Sequence, residues 1–217
     1  MLQLRNLLVA AALVAVVGAN ANGTIYEQAY DGTSSGAVAQ DFTDFPTFSS
    51  FEFDDFMVSD PQWNIKKVTI YGLEQGNPNF NIDARLVITQ NPSMTAPGTI
   101  YHSDAGGVLA GNNLEFNVPF NLTTGAYYIG AWVSRPFSGG GQWFWLRTTP
   151  VSGGEHWFQN PGGGFGFGSN PVPGSVVFNS AADLAFKIEG TVVPEPASMI
   201  ALLGGLAGMG LRRIRRN

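Results

Sequence analysis

Around Asp183 to Thr191 apolar and polar residues alternate one for one. Leu184, Phe186 and Ile188 fall on one side of an extended chain, with Asp183, Lys187 and Glu189 on the other. Val68 and Ile70 alternate in the same way between Lys67, Thr69 and Tyr71. A period of two belongs to a strand with one buried and one wet face, whereas a helix would bury every third or fourth residue. Further segments rich in Val, Ile, Phe, Tyr and Trp are parted by Gly, Pro, Asn and Ser clusters, and no run of ten or more body residues keeps a helical period. Strands are predicted over 50–58, 65–71, 81–89, 99–102, 114–118, 126–134, 142–147, 175–178 and 183–191. So many short strands, each bounded by turn residues, predict an all-β body, an antiparallel two-sheet sandwich of jelly-roll type.

Both ends of the chain read as addresses. Residues 1–21 carry Arg5, then an apolar core from Leu7 to Val17, then Ala19-Asn20-Ala21, a small-x-small cleavage site. That is the build of a secretory signal peptide, and cleavage after Ala21 makes Asn22 the new N-terminus. At the other end Pro194-Glu195-Pro196 precedes an apolar run from Ala197 to Leu211 and a cluster of Arg212, Arg213, Arg215 and Arg216. The run is expected to form a short transmembrane helix. It would rise roughly 22 Å as a helix, against a hydrocarbon core of ~30 Å. Gly204, Gly205, Gly208 and Gly210 weaken it further, so it suits a temporary halt better than a permanent anchor. The arginines hold their end in the cytoplasm, and the two prolines keep the tripeptide extended and open to a protease.

This three-part tail resembles the PEP-CTERM sorting signal of Gram-negative bacteria. The resemblance implies recognition by an exosortase-type membrane protease after export through the Sec machinery. It also implies a transient stay in the inner membrane, trimming near the tripeptide, and delivery to the cell surface or extracellular matrix. Residues 1–21 are then the signal peptide, 22–193 the working domain and 194–217 the sorting tail.

Processing changes the balance of charge. With Arg5 and the tail arginines gone and Glu195 retained, six basic residues face sixteen acidic ones, a net charge of −10. Such a surface excludes nucleic acid as a partner, since phosphate binding needs clustered Lys and Arg. No cysteine is present, so stability in an oxidising compartment must come from packing or bound ions.

No catalytic residues are assigned. His102 and His156 are the only histidines, and Glu155-His156 lacks the second histidine of a zinc motif. The glycine-aromatic stretch from Gly162 to Gly168 is followed by Pro171 and Pro173 rather than by a helix, so it reads as a loop and not a phosphate cradle. Ligand binding falls instead to aromatics. Trp143 and Trp145 share one face of their strand, opposite Phe144 and Leu146, and Trp157 sits beside the glycine loop. These tryptophans either fill the sandwich or stack on sugar rings. The acids Glu27, Asp31, Asp41, Asp44, Glu52, Asp54, Asp55 and Asp60 occur with no Lys or Arg between Arg5 and Lys66. They read either as a solvated face or as oxygen ligands for calcium, and no dedicated metal loop is visible.

The body carries a second resemblance. Trp63-Asn64-Ile65 entering Val68-Thr69-Ile70-Tyr71-Gly72, then Gly125-Ala126-Tyr127-Tyr128-Ile129, Trp143-Phe144-Trp145 and Asp183-Leu184-Ala185-Phe186-Lys187 are similar to the β-sandwich bodies found upstream of PEP-CTERM tails. The function expected is that of a non-catalytic surface or matrix protein associated with exopolysaccharide or biofilm. The alternatives are a carbohydrate-binding module of that matrix and an exported polysaccharide-degrading enzyme.

Overall fold

The computed structural model describes residues 22–194 apart from 33, 34, 78, 79, 81 and 152. The signal peptide, with Ala19 and Ala21, lies outside the described residues, as does the tail from Glu195 onward, with Pro196, Arg212, Arg213, Arg215 and Arg216; Pro194 is the last residue described. Among the described residues no helix is long and apolar enough to cross a membrane.

The chain is all-β. Three short strands open it, β1 (Gly23–Gln28), β2 (Gly36–Val38) and β3 (Gln40–Phe42), before a 3-10 turn at Pro46–Phe48. The long β4 (Phe51–Ile70) follows, then β5 (Gly72–Gly76), β6 (Asp83–Thr89), β7 (Ile100–Ala110), β8 (Asn113–Phe116), the long β9 (Phe120–Arg135) and β10 (Gly141–Thr148). Two short strands, β11 (Trp157–Gln159) and β12 (Val172–Pro173), lead to a five-residue helix α1 (Gly174–Phe178), and β13 (Asp183–Leu184) and β14 (Phe186–Val193) close the domain.

The larger sheet runs β1-β14-β4-β8-β7-β6-β9-β3. Strand β4 pairs with β8 through Val68–Ile70 and with β9 through two stretches, Glu52–Val58 and Gln62–Ile65. The order β4-β8-β7-β6-β9 therefore returns to β4, which removes those strands' free edges. The register shift between Val58 and Gln62 falls at Pro61, whose missing N–H cannot serve a ladder, and there β4 bends sharply enough to stack Phe56 and Trp63, with ring centres 6.2 Å apart. The two strands predicted on either side of this proline are thus one bent strand. Among the described residues all strand pairings are antiparallel except β3 with β9, which is parallel.

The smaller sheet centres on β10, with β2 on one side and β5 and β13 on the other. The chain crosses between the sheets at Tyr71 and Ala185, side by side. Tyr71 N–H donates to Ala185 O, Ala185 N–H to Leu146 O, and Leu146 N–H to Tyr71 O. The core lies between, built on Phe53, Phe56, Ile65, Phe116, Trp143, Trp145 and Phe186. Gly72 is required there, because a Cβ would enter the Trp143 ring.

Residues 175–178, expected to be a strand, form α1 instead. Gly174 packs flat against the His156 ring, and Asn179 ends the helix in the left-handed region at φ 56° with its N–H on Ser175 O. Tertiary contact overrides the strand preference of Val176 and Val177.

Candidate functional site

Trp143 and Trp145 point into the core at 0% exposure, so the stacking surface considered for them does not exist in this fold. Alternation on β10 is as expected, with Phe144 and Leu146 on the outer, half-buried face. Each indole is tied inward by its Nε1–H: Trp143 donates to Asn112 O at 2.9 Å and Trp145 to Ala185 O at 2.9 Å. Trp157 is half-buried on β11, opposite Phe53 and Pro173, and packs partly on the core.

The acidic stretch divides by burial: Glu27 and Asp44 are exposed, Asp31, Asp41, Asp55 and Asp60 are half-buried, and Glu52 and Asp54 are fully buried. Most of its carboxylates accept hydrogen bonds from parts of the chain far off in sequence. Asp44 takes the Phe137 and Ser138 amides at 2.7 and 2.9 Å, Asp31 the Thr149 amide at 2.9 Å, Asp55 the Gly154 amide at 3.0 Å and Asp54 the Leu184 amide at 2.5 Å. Asp41 takes the Ser49 and Ser134 hydroxyls, Asp60 the Trp63 indole and Glu27 the Tyr71 hydroxyl. These acids act as caps on loop amides and side chains. Among the described residues no three His, Cys, Asp or Glu side chains converge to hold a metal ion.

Glu52 is the exception, and it belongs to a buried polar cluster with Asp54, Arg147, His156 and Asp183. His156 Nδ1–H donates to Ala182 O at 2.7 Å, which leaves Nε2 facing Glu52 Oε2 at 3.7 Å. Neither Glu52 oxygen finds a hydrogen bond among the described residues. Burial pushes the Glu52 carboxyl well up, against the pull of Arg147, and pushes Asp54 up with help from Asp183. Burial lowers His156 to about 4, with the Arg147 charge adding to it. Arg147 is itself lowered by burial; its guanidinium lies 4.4 Å above the Phe178 ring and donates to Ser180. The cluster has the chemistry of an acid-base pair, but its Glu52 and His156 side chains are fully buried. His102 is no better placed, stacked on Phe120 at 4.0 Å.

What faces solvent is a cleft of about 290 Å³ lined by Phe42, Phe45, Phe48, Phe137, Phe165 and one polar side chain, Gln142. Phe42 forms the floor. Phe137 meets it edge-on at 6.1 Å, and Phe48 meets Phe165 edge-on at 5.5 Å. Four of the rings are 39–48% exposed, a concentration that soluble surfaces rarely leave without a partner.

The backbone beneath holds these rings in place. Asp44 caps the loop carrying Phe137. Burial works to raise its carboxyl, but the hydrogen bonds from Ser138 and Phe137 outweigh this and hold it low. Asn160 clamps the glycine loop to the 3-10 turn. Its amide donates to Thr47 O and Ser49 O at 2.9 and 2.8 Å and accepts from the Phe165 N–H at 2.9 Å. Gly162 and Gly164 lie so close to Thr47 that a Cβ on either would strike its backbone. The cleft is therefore formed before any ligand arrives. Of these rings only Phe165 falls in the glycine-aromatic stretch read from the sequence, although Phe42, Phe45 and Phe48 recur every third residue and mark the spot.

Comparison with protein-family models, with curated proteins and with solved structures gives no match.

Proposed function

We propose that this chain is an exported, non-catalytic surface or extracellular-matrix protein. In this reading its body is a jelly-roll-type sandwich and its tail, from Pro194, is a PEP-CTERM sorting signal acted on by an exosortase-type protease. The observation that carries the proposal is the placement of reactive groups against contact groups. Glu52, Asp54, His156 and Asp183 are sealed in the interior, while a preformed aromatic cleft is left on the surface. That division suits a protein that adheres rather than one that turns over a substrate, because general acid-base work needs its groups within reach of the bond being broken. The partner this reading favours is the exopolysaccharide matrix, whose sugar rings offer C–H faces to phenyl rings. Sec export and a stop in the inner membrane rest on residues 1–21 and 194–217.

The test is replacement of Pro194-Glu195-Pro196 by alanines in the full chain. Signal-peptide cleavage at Ala21 should proceed, trimming of the tail should stop, and the protein should accumulate in the inner membrane. Normal release of that variant would remove the sorting reading.

A further inference from the structure

The large sheet carries a second cleft, on the face of β3 opposite Phe42. Strands β3, β9 and β6 lie side by side, with Asp41 opposite Ser134, Ser134 opposite Asp83 and Trp132 opposite Arg85. Residues paired in this way share a face. That face holds a cleft of about 210 Å³ lined by Asp41, Phe51, Arg85, Met94, Trp132 and Ser134. Trp132 and Phe51 meet edge-to-face at 5.2 Å and are each 8% exposed, and both line the cleft.

The polar wall is held as firmly as the floor. The Asp41 carboxylate is fixed by the Ser49 hydroxyl at 2.9 Å and the Ser134 hydroxyl at 3.1 Å. Arg85 is paired with Asp83, and its side chain keeps 44% of its surface in solvent. A carboxylate accepts, a guanidinium donates, and a serine hydroxyl does both. An apolar floor with acceptor and donor on one rim matches a molecule having an apolar face and hydroxyls at its edge.

We infer that the cleft of Trp132, Phe51, Asp41 and Arg85 is a subsite for one ring of a neutral hexopyranose chain. The inference rests on the matrix reading above and says which surface would carry its specificity. The aromatic cleft on the other side of β3 offers a single polar group, Gln142, and so little discrimination among sugars. Neutral sugar is specified by charge. Asp41 and Arg85 line the cleft, Asp83 is paired with Arg85 beside it, and the processed body is strongly acidic, so the site has no surplus positive charge to hold uronates or sulfated sugars. A site built to hydrogen-bond hydroxyls also rejects ligands that lack them, because its own polar groups would be left unpaired.

The experiment is titration calorimetry on the secreted protein with neutral hexasaccharides of β-1,4-glucose and β-1,4-mannose, and polygalacturonate as the anionic comparator. At least one neutral hexasaccharide should bind and polygalacturonate should not. Arg85→Ala should weaken binding about tenfold, the loss of one charge-assisted hydrogen bond, and leave the thermal midpoint unchanged because the side chain is exposed. Asp41→Asn should weaken it similarly, with its midpoint measured alongside. Failure of both neutral sugars to bind, or full affinity in Arg85→Ala, would overturn the subsite. The matrix reading is judged separately by fractionation of the wild type. A protein that stays with the matrix while Arg85→Ala binds normally loses only this inference; a wild type absent from the matrix loses the reading on which it rests.

Discussion

Glu52 and His156 face each other across 3.7 Å, and neither side chain reaches solvent. Because His156 Nδ1 donates to Ala182 O, the pair is at ease only when a proton lies between Glu52 and Nε2. A buried Glu52 carboxylate opposite a bare nitrogen lone pair would have no hydrogen bond to offset its desolvation, only the pull of the Arg147 charge.

A pH dependence follows with a definite sign. The folded His156, lowered to about 4 from 6.5, refuses a proton that the unfolded chain accepts, so its contribution to stability is lost as pH falls from about 6.5 to about 4. Glu52 and Asp54 act oppositely. Their raised values keep protons in the folded state, giving stability that is full below the ordinary values of 4.5 and 3.8 and lost as pH rises through the folded values. The two acids outweigh the one histidine above pH 4.5, so the cluster favours mildly acid conditions. Glu52→Gln removes one of the held protons. Its unfolding free energy, measured by urea denaturation from pH 5 to 8, should gain on the wild type by up to about 1.4 kcal/mol per pH unit while Glu52 stays protonated. A constant gap between the two proteins across that range would contradict the assignment.

The tryptophans separate packing from contact. Trp143→Ala and Trp145→Ala should each cost about 3–5 kcal/mol, the range for emptying a core aromatic, and should leave the matrix affinity of the folded fraction unchanged. Trp157→Ala, half-buried on β11, should cost about 1–2 kcal/mol. Small effects at Trp143 and Trp145 on chemical denaturation would mean that the core is not organised around β10.

Asn160 tests whether the aromatic cleft is preformed. Asn160→Ala frees the carbonyl of Ser49 and the amide of Phe165, and should lower stability by about 2–4 kcal/mol. Hydrogen exchange at the Phe165 amide should quicken as the glycine loop parts from the 3-10 turn. An unchanged exchange rate would mean that something other than this clamp fixes the loop.

Local pattern carried the longer strands, while the short β1, β2, β3, β5, β11 and β12, set by long-range pairing, were not legible. The alternation at Leu184, Phe186 and Ile188 showed which side chains enter the core, because strand geometry is written in neighbouring residues. The alternation on β10 likewise put Trp143 and Trp145 on one face, but only the second sheet decides that this face is inside. The role of the acids was hidden for the same reason. Asp44 meets Phe137 93 positions away, and Asp54 meets Leu184 130 positions away, so each carboxylate's partner is set by the fold alone. Strand β1 was missed because its residues, Thr24 to Gln28, are mostly polar or aromatic and half exposed, with little contrast between faces. The short helix at Gly174–Phe178 was misread because a single contact, Gly174 on His156, outweighs the preference of the residues that follow.

The central claim is that a non-catalytic body is exported, trimmed at both ends and left in the matrix. Intact-mass measurement of the protein recovered from the extracellular matrix fraction tests it most directly. The account predicts a single species that begins at Asn22 and lacks the Arg212 to Arg216 cluster. A matrix-borne protein with its C-terminus intact, or one found only inside the cell with residues 1–21 still attached, would contradict it.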